Sequence, residues 1–314
     1  MKIQLLASTN SMKIEFFFDE NFKHKNLVYI FTPSFNRNLN GMAYGGDLFF
    51  RGGYDVIVFK ISNDDWFQSI PPELFTSISG VIAIHKYEKK VAYGSSMGGY
   101  AAIAFSKILD CNTVIVFSPQ HSIDQSFDRR WEAYAKKINF IYTIACDTVN
   151  QNCKFFIFYD DKGPDELQVS KILDVIPSAN TCLIRLPYAG HPTTHYLAQV
   201  GILKELAIKV ANENSIDNID FRGRKALSKS YLQCISYHLL RRNKLKSALF
   251  TIDSAIQIDQ NIPAFHWHKS TVLAKLGRSK EAIDSINNAL SLDPSNVKFQ
   301  IHLSNLQIGL DEAK

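Results

Sequence analysis

Long apolar stretches are absent from this 314-residue sequence, and no run reaches the roughly 18 consecutive apolar residues of a membrane-spanning helix. Residues 1–10 are too poor in apolar side chains for a secretory signal. Cysteine is also scarce, because only five occur, scattered and without the close spacing of metal ligands. An odd number of isolated cysteines is typical of reduced core residues. The sequence therefore predicts a cytoplasmic protein with no membrane span, no disulfide framework and no metal site.

A strong excess of one charge is absent as well, since the formal net charge is +5. The basic run at residues 241–246 is typical of a solvated turn between helices, so we expect no nucleic-acid partner. His266 and His268 lie two positions apart and point in different directions on a helix, which argues against a shared metal ion.

The most informative motif that is present is G-x-S-x-G at residues 94–98. An apolar strand precedes it and an alanine-rich helix follows it, which is the strand–turn–helix context of a serine nucleophile elbow. The turn is tight enough to require glycine on both sides of the serine. Ser96 is therefore the predicted nucleophile. The following helix directs free N–H groups at it, and the N–H of Met97 is the predicted first oxyanion donor.

A base and an acid follow in the chain order that this enzyme class uses, which is serine, acid and then histidine. A serine hydroxyl needs a neutral imidazole to accept its proton and a carboxylate to orient that imidazole. His191 lies in a loop after an apolar strand and is the predicted base. His195 is four residues further on, near a helix start, and is the weaker candidate.

Three aspartates compete for the role of the acid. Asp160 stands at the end of the strand predicted over residues 154–159 and ranks first. Asp165 ranks second, because it follows Pro164 and also fits the start of a helix. Asp161 ranks third.

Short, mostly apolar runs predict strands that are buried on both faces of a mostly parallel sheet flanked by helices. The runs cover residues 26–31, 54–61, 90–93, 113–117, 154–159 and 181–186, and residues 13–18 predict an outer strand. Because ligands bind beyond the carboxyl ends of such strands, the serine, acid and histidine are expected at one edge of the sheet. The loop after the first run is Thr32-Pro33-Ser34, and the backbone N–H of Ser34 or Thr32 is the predicted second oxyanion donor.

Residues 120–152 form an insertion that contains the sequence FDRRWEAY at 127–134. Arginine and aromatic residues near a site suit a sugar or an anionic ligand. The same pattern also fits a solvated helix whose apolar face packs on the sheet.

The last third of the chain repeats with a period of 34 residues. Ala248, Ile252 and Ala255 recur as Ala282, Ile286 and Ala289. This period, with small residues at these places, is the tetratricopeptide signature. We therefore predict a catalytic domain at 1–212, a linker at 213–228 and a small all-α repeat domain at 229–314, with two repeats and a closing helix. The repeats are suited to binding a protein partner.

The segment at 93–102 (YGSSMGGYAA), with FSPQ at 117–120 and DRRW at 128–131, resembles bacterial α/β-hydrolase-like proteins associated with surface polysaccharide synthesis, including capsule O-acetyltransferases. The resemblance covers residues 1 to about 212. It implies the α/β-hydrolase fold, and it carries the family's serine, acid and histidine onto Ser96, Asp160 or Asp165, and His191. The oxyanion loop departs from the family pattern, because it is Thr-Pro-Ser rather than glycine-rich.

The implied function is a serine esterase or O-acyltransferase that acts through an acyl-enzyme on an acylated carbohydrate, such as a bacterial surface polysaccharide. No resident cofactor is expected, and acetyl-coenzyme A is a candidate acyl donor. The alternative is an interaction protein in which the repeats recruit a partner and the hydrolase domain is inactive. A serine peptidase is a third interpretation.

Overall fold

The computed structural model describes residues 1–21, 23–221 and 223–311 of the chain. The linker predicted over 213–228 includes Arg222, and the repeat domain predicted over 229–314 includes residues 312–314, and these four residues lie outside the described part. The chain divides into two compact units. The first comprises Met1–Pro187 and His191–Ile219, and the second comprises Tyr188–Gly190 and the chain from Asp220 onward.

The first unit is built on one eight-stranded sheet whose strand order is β1-β2-β4-β3-β5-β6-β7-β8. The strands are β1 (Lys2–Ser8), β2 (Met12–Phe18), β3 (Asn26–Phe31), β4 (Tyr54–Ile61), β5 (Lys89–Ser95), β6 (Thr113–Phe117), β7 (Lys154–Tyr159) and β8 (Thr181–Arg185). Strand β2 runs antiparallel to both of its neighbours, and the pairs from β4 to β8 are all parallel. The predicted α/β class, with a mostly parallel sheet, is therefore confirmed.

Helices connect these strands and flank the sheet. They are α1 (Gly46–Arg51), α2 (Pro72–Ala83), α3 (Met97–Ala104), α4 (Glu132–Ala135), α5 (Asp165–Leu173), α6 (Thr193–Gln199) and α7 (Leu203–Glu213). Every residue of β4, β6 and α3 is buried, which explains why their sequences are mostly apolar rather than alternating. This architecture is the α/β-hydrolase fold that the resemblance implied.

Strand β1 is the one strand of this sheet that the sequence did not predict. It pairs with β2 only, and its Ile3 and Leu5 side chains are more than half exposed. An edge strand with exposed side chains lacks the continuous apolar run by which its neighbours were recognised.

The second unit contains the helical hairpins that the 34-residue period predicted. Its helices are α8 (Lys229–Arg241), α9 (Leu245–Ile258), α10 (Pro263–Lys275), α11 (Ser279–Leu292) and α12 (Val297–Asp311). The recurring alanines at 248, 255, 282 and 289 are fully buried, so the small side chains lie where paired helices approach.

A hydrogen-bonded serine and histidine also follow this period. Ser236 Oγ donates to the carbonyl of Ala248 at 2.7 Å and lies 2.9 Å from His268 Nε2. The same arrangement recurs at Ser270, Ala282 and His302. Because the serine hydrogen is used by the carbonyl, His268 must donate from Nε2. Its Nδ1 is buried and has no partner among the described residues.

This arrangement makes the stability of the second unit dependent on pH. Burial lowers the pKa of His268 from 6.5 to about 4, because a proton added at Nδ1 would be desolvated. The folded-state pKa lies below the unfolded one, so the stabilising contribution is complete above pH 6.5 and is lost as the pH falls through 4. Between pH 7 and pH 4 we expect His268 to remove about 3 kcal/mol from the free energy of unfolding.

Urea unfolding followed by far-UV circular dichroism at both pH values tests this expectation. The matched control is His268→Gln, which keeps an N–H donor for Ser236 but does not titrate. The wild-type protein should lose more stability on acidification than the variant does, and equal losses would contradict the assignment.

Candidate active site

The G-x-S-x-G motif forms the predicted sharp turn between β5 and α3. Ser96 has φ 55° and ψ −118°, which places a non-glycine residue in the positive-φ region. A Cβ at Gly94 would lie 2.2 Å from the carbonyl oxygen of Gly98, and a Cβ at Gly98 would lie 2.2 Å from the carbonyl oxygen of Phe31. Both contacts are with backbone, so any side chain at either position would push the turn apart. The strain at Ser96 is held by fixed neighbours, as is typical of functional turns.

Ser96, His191 and Asp165 form a continuous hydrogen-bonded chain. Ser96 Oγ lies 2.9 Å from His191 Nε2. His191 Nδ1 lies 2.9 and 3.0 Å from the two carboxylate oxygens of Asp165. An ionised carboxylate only accepts hydrogen bonds, so the proton of the neutral ring is on Nδ1 and the Nε2 lone pair faces the serine. This is the geometry in which an imidazole can take the proton of a serine hydroxyl.

Asp165 is the first residue of α5 and is 1% exposed. Burial raises its pKa, but the hydrogen bond from His191 and the charge of Arg130 outweigh burial, and the resulting pKa lies below the usual value. The N-terminus of α5 also favours a negative charge there. Asp165 therefore remains ionised at neutral pH.

This geometry corrects the order of the aspartates predicted from the sequence, in which Asp160 comes first. The single N–H at His191 Nδ1 points to Asp165. Asp160 Oδ1 instead accepts a hydrogen bond of 2.9 Å from the backbone N–H of Lys162, two residues further on. Such a turn-forming contact is a common role of aspartate after a strand. Asp161 lies 2.8 Å from Lys162 Nζ in an ion pair.

Replacement of each aspartate by asparagine separates the two leading candidates. In Asp165→Asn the amide would donate to Nδ1, leaving the hydrogen on Nε2, and we expect kcat to fall by about 10⁴-fold through this wrong tautomer. Asp160→Asn can still accept from the Lys162 N–H and should retain most activity. The measurement is turnover of p-nitrophenyl acetate, and a larger loss in Asp160→Asn than in Asp165→Asn would overturn the assignment.

Arg130 is a site residue whose role the sequence analysis missed. Its Nη1 lies 3.2 Å from Asp165 Oδ1, and its Nη2 lies 2.7 Å from Asp128 Oδ2. Gln168 Nε2 also donates to Asp128 at 2.9 Å. The insertion thus supplies an arginine whose guanidinium contacts the same Asp165 carboxylate as His191. The DRRW string was the available signal, but spacing alone gave no reason to pair it with Asp165.

The predicted oxyanion donors are the backbone N–H groups of Met97 and Ser34. Met97 is the first residue of α3, so its N–H has no acceptor within the helix. In the loop after β3, the N–H groups of Thr32 and Phe35 donate to protein acceptors at 3.2 and 2.7 Å, and Pro33 has no N–H. The role of the Ser34 N–H as the second donor stays a prediction.

A pocket of about 460 Å³ opens beside the elbow. It is lined by Thr32 and Pro33 of the loop after β3, by Ser95, and by Pro192 and His195, which follow His191 in the chain. The weaker base candidate, His195, thus lies on the pocket wall, whereas the ring nitrogen that contacts Ser96 belongs to His191. Ser95 Oγ is buried and has no hydrogen-bond partner among the described residues.

Within residues 1–21, 23–221 and 223–311, no three histidine, cysteine, aspartate or glutamate side chains are grouped as metal ligands. None of the helices described there combines the length and apolar character required to cross a bilayer.

No protein-family model matches the sequence, and no curated protein sequence matches it. Among solved structures, the glycosylation-associated protein (Gap123) complex of Streptococcus agalactiae is 12% identical with a TM-score of 0.48, and covers 67% of this chain and 47% of its own. The chain thus spans about half the length of that structure. The capsule O-acetyltransferase of Neisseria meningitidis serogroup A is 12% identical with a TM-score of 0.44, covering 63% of this chain and 92% of its own. Acetyl xylan esterase 1 of Thermoanaerobacterium sp. JW/SL YS485 is 10% identical with a TM-score of 0.43, and the match covers 66% of this chain and 88% of the esterase.

Proposed function

We propose that the protein is a serine enzyme that acts on esters through an acyl-enzyme, as an esterase or an O-acyltransferase. The observation that carries this proposal is the hydrogen-bonded line from Ser96 Oγ through His191 to the buried carboxylate of Asp165. The positive φ of Ser96 and its place at the start of a helix add support, since both are features of a nucleophile elbow.

In the first half of the proposed reaction, Ser96 Oγ attacks the acyl carbonyl carbon while its proton passes to His191 Nε2. Asp165 stabilises the resulting imidazolium through Nδ1. The tetrahedral oxyanion accepts hydrogen bonds from the N–H groups of Met97 and Ser34. The bond to the leaving group then breaks, His191 returns the proton to the leaving oxygen or sulfur, and the acyl group remains on Ser96.

The second half repeats these steps with a new acceptor. His191 takes a proton from water or from a sugar hydroxyl, the acceptor oxygen attacks the acyl-serine, and Ser96 regains its hydrogen. Water gives an esterase and a sugar hydroxyl gives a transferase. We place the substrate among acylated carbohydrates, such as a bacterial surface polysaccharide, on the sequence resemblance, with acetyl-coenzyme A as a candidate donor. Capsule O-acetylation and acetyl xylan hydrolysis, named for two of the similar structures, are reactions of this kind.

The test uses the full chain with p-nitrophenyl acetate, and then with capsule-type glycans and acetyl-coenzyme A. We expect hydrolysis of the small ester that depends on Ser96. A mass gain of one acetyl unit on a glycan supports transfer, whereas loss of acetyl groups from an acetylated glycan supports hydrolysis. If neither substrate reacts, the proposal is wrong and the interaction protein, with repeats that recruit a partner, becomes the better interpretation.

A further inference from the structure

A cluster of four aromatic side chains, the aromatic platform, lies next to the proposed base. It consists of Phe35, Trp66, Trp131 and Tyr134. The Trp131 ring centroid is 6.5 Å from that of His191, 6.3 Å from that of Phe35 and 5.3 Å from that of Trp66. Phe35 is also 6.3 Å from Tyr134. The platform thus leads from the reacting histidine to the protein surface.

The outer member of the platform, Phe35, is exposed and strained. Its side chain is 60% exposed and its φ is 65°, a region that bulky residues rarely adopt. Its N–H donates to the buried Asp64 at 2.7 Å, and Asp64 is paired in turn with Arg37, whose guanidinium lies 5.8 Å from the Phe35 ring centroid. A ring that is fixed in an unfavourable backbone conformation and leaves most of its surface in solvent contributes little apolar burial to folding, and strain of this kind clusters at ligand sites.

The inner member, Trp131, supplies an independent observation. It is 8% exposed, and its indole N–H is buried without a hydrogen-bond partner among the described residues. The neighbouring Trp66 differs, because its N–H donates to Gln120 Oε1 at 3.1 Å. A buried donor that is left unsatisfied is costly and uncommon in proteins, and a ligand hydroxyl would satisfy it.

Charge separates the two ligand classes that the sequence left open, a sugar and an anion. Arg37 is bonded to Asp64, and Arg130 is bonded to Asp128 and Asp165. Because both guanidinium groups are neutralised by carboxylates, neither favours an anionic ligand at this surface. A neutral ligand with an apolar face and hydroxyl groups fits better.

We infer that the aromatic platform binds a pyranose ring of the substrate. The C–H face of the sugar stacks on Phe35, since aromatic faces carry partial negative charge and C–H groups carry partial positive charge. Because Trp131 Nε1 is buried, a shift of the side chains that cover it accompanies binding, and a sugar hydroxyl then accepts its hydrogen bond. The sugar is thereby held beside His191, where one of its oxygens is the leaving group or the acceptor. This inference names a substrate class for the proposed function. The reaction of the bound sugar rests on that function, whereas the binding of the sugar does not.

Binding is tested first with the full-length Ser96→Ala protein, which cannot form an acyl-enzyme. The probes are methyl glycosides of glucose, galactose, mannose and N-acetylglucosamine, and the readout is saturation-transfer NMR. We expect at least one glycoside to receive saturation mainly at the C–H protons of one ring face. Adding Phe35→Ala should abolish the signal, Phe35→Tyr should restore it, and the matched control Phe250→Ala should leave it unchanged, because Phe250 is a 75% exposed phenylalanine of α9. Absence of binding by every glycoside, or binding that survives Phe35→Ala, overturns the inference.

Kinetics then separates this inference from the proposed function. The ratio of kcat/KM for penta-O-acetylglucose to that for vinyl acetate, which has no ring, should fall at least tenfold in Phe35→Ala. Turnover of vinyl acetate with an unchanged ratio leaves the proposed function standing and refutes the platform. Glycoside binding that depends on Phe35, with no turnover of any ester, leaves the platform standing and refutes the proposed function.

Discussion

Replacement of Ser96 by alanine is expected to lower kcat for p-nitrophenyl acetate by about 10⁶-fold, the size of loss found when a serine hydrolase loses its nucleophile. The physical reason is that Ser96 Oγ is the atom that lies 2.9 Å from His191 Nε2. Without it, the imidazole has no hydroxyl to activate, and no acyl-enzyme forms. Turnover and labelling by a fluorophosphonate probe measure the effect, and both should disappear in Ser96→Ala.

The adjacent serine provides the matched control for this experiment. Ser95 Oγ is buried without a hydrogen-bond partner among the described residues, so Ser95→Ala removes no hydrogen bond between those residues. Labelling should persist in Ser95→Ala at the wild-type rate. Labelling that survives Ser96→Ala, or that is lost in Ser95→Ala, would remove Ser96 from the role of nucleophile.

The position of Ser96 was predictable because its constraints are local. A strand, a turn and a helix are all encoded within about 15 residues, and the steric need for glycine at 94 and 98 is a property of that turn alone. Strands β3, β4, β6 and β7 were predicted to the residue for a related reason, since each is almost wholly buried and mostly apolar.

The acid could not be ranked correctly from the sequence, because the deciding contacts join distant segments. Asp160 is nearer the end of β7, but its carboxylate closes the turn that follows. That turn carries the chain to α5, whose first residue is Asp165. Arg130 precedes Asp165 by 35 residues in the sequence, and no periodic pattern predicts that the two side chains pair.

The aromatic platform could not be predicted from the sequence for a similar reason. The insertion suggested a sugar or an anion through its arginines and aromatic residues, but Phe35 and Trp66 come from other loops and reach Trp131 only in the folded unit. A phenylalanine with positive φ has no sequence signature. The serine–histidine pairs of the repeats, in contrast, inherit the 34-residue period and could have been predicted from it.

Replacement of His191 by alanine is expected to reduce kcat for p-nitrophenyl acetate by about 10⁶-fold, comparable to the loss of the nucleophile, because the two groups act as one unit. His191 contacts Ser96 through Nε2 and Asp165 through Nδ1, so its removal leaves the serine hydroxyl without a base and without a link to the Asp165 carboxylate. The fold should persist, since the side chain is not part of the apolar core. Added imidazole should recover part of the activity of His191→Ala by occupying the vacated space and accepting the serine proton.

His195→Ala is the matched control, because it removes the same chemical group four residues away, on the wall of the adjacent pocket. It should retain most activity on the small ester and should not respond to imidazole. A variant pair with the opposite behaviour, active without His191 and inactive without His195, would move the base to His195. Because the ring that contacts the Ser96 hydroxyl in the structure is that of His191, such a result would also require the loop at residues 187–192 to adopt another conformation during turnover.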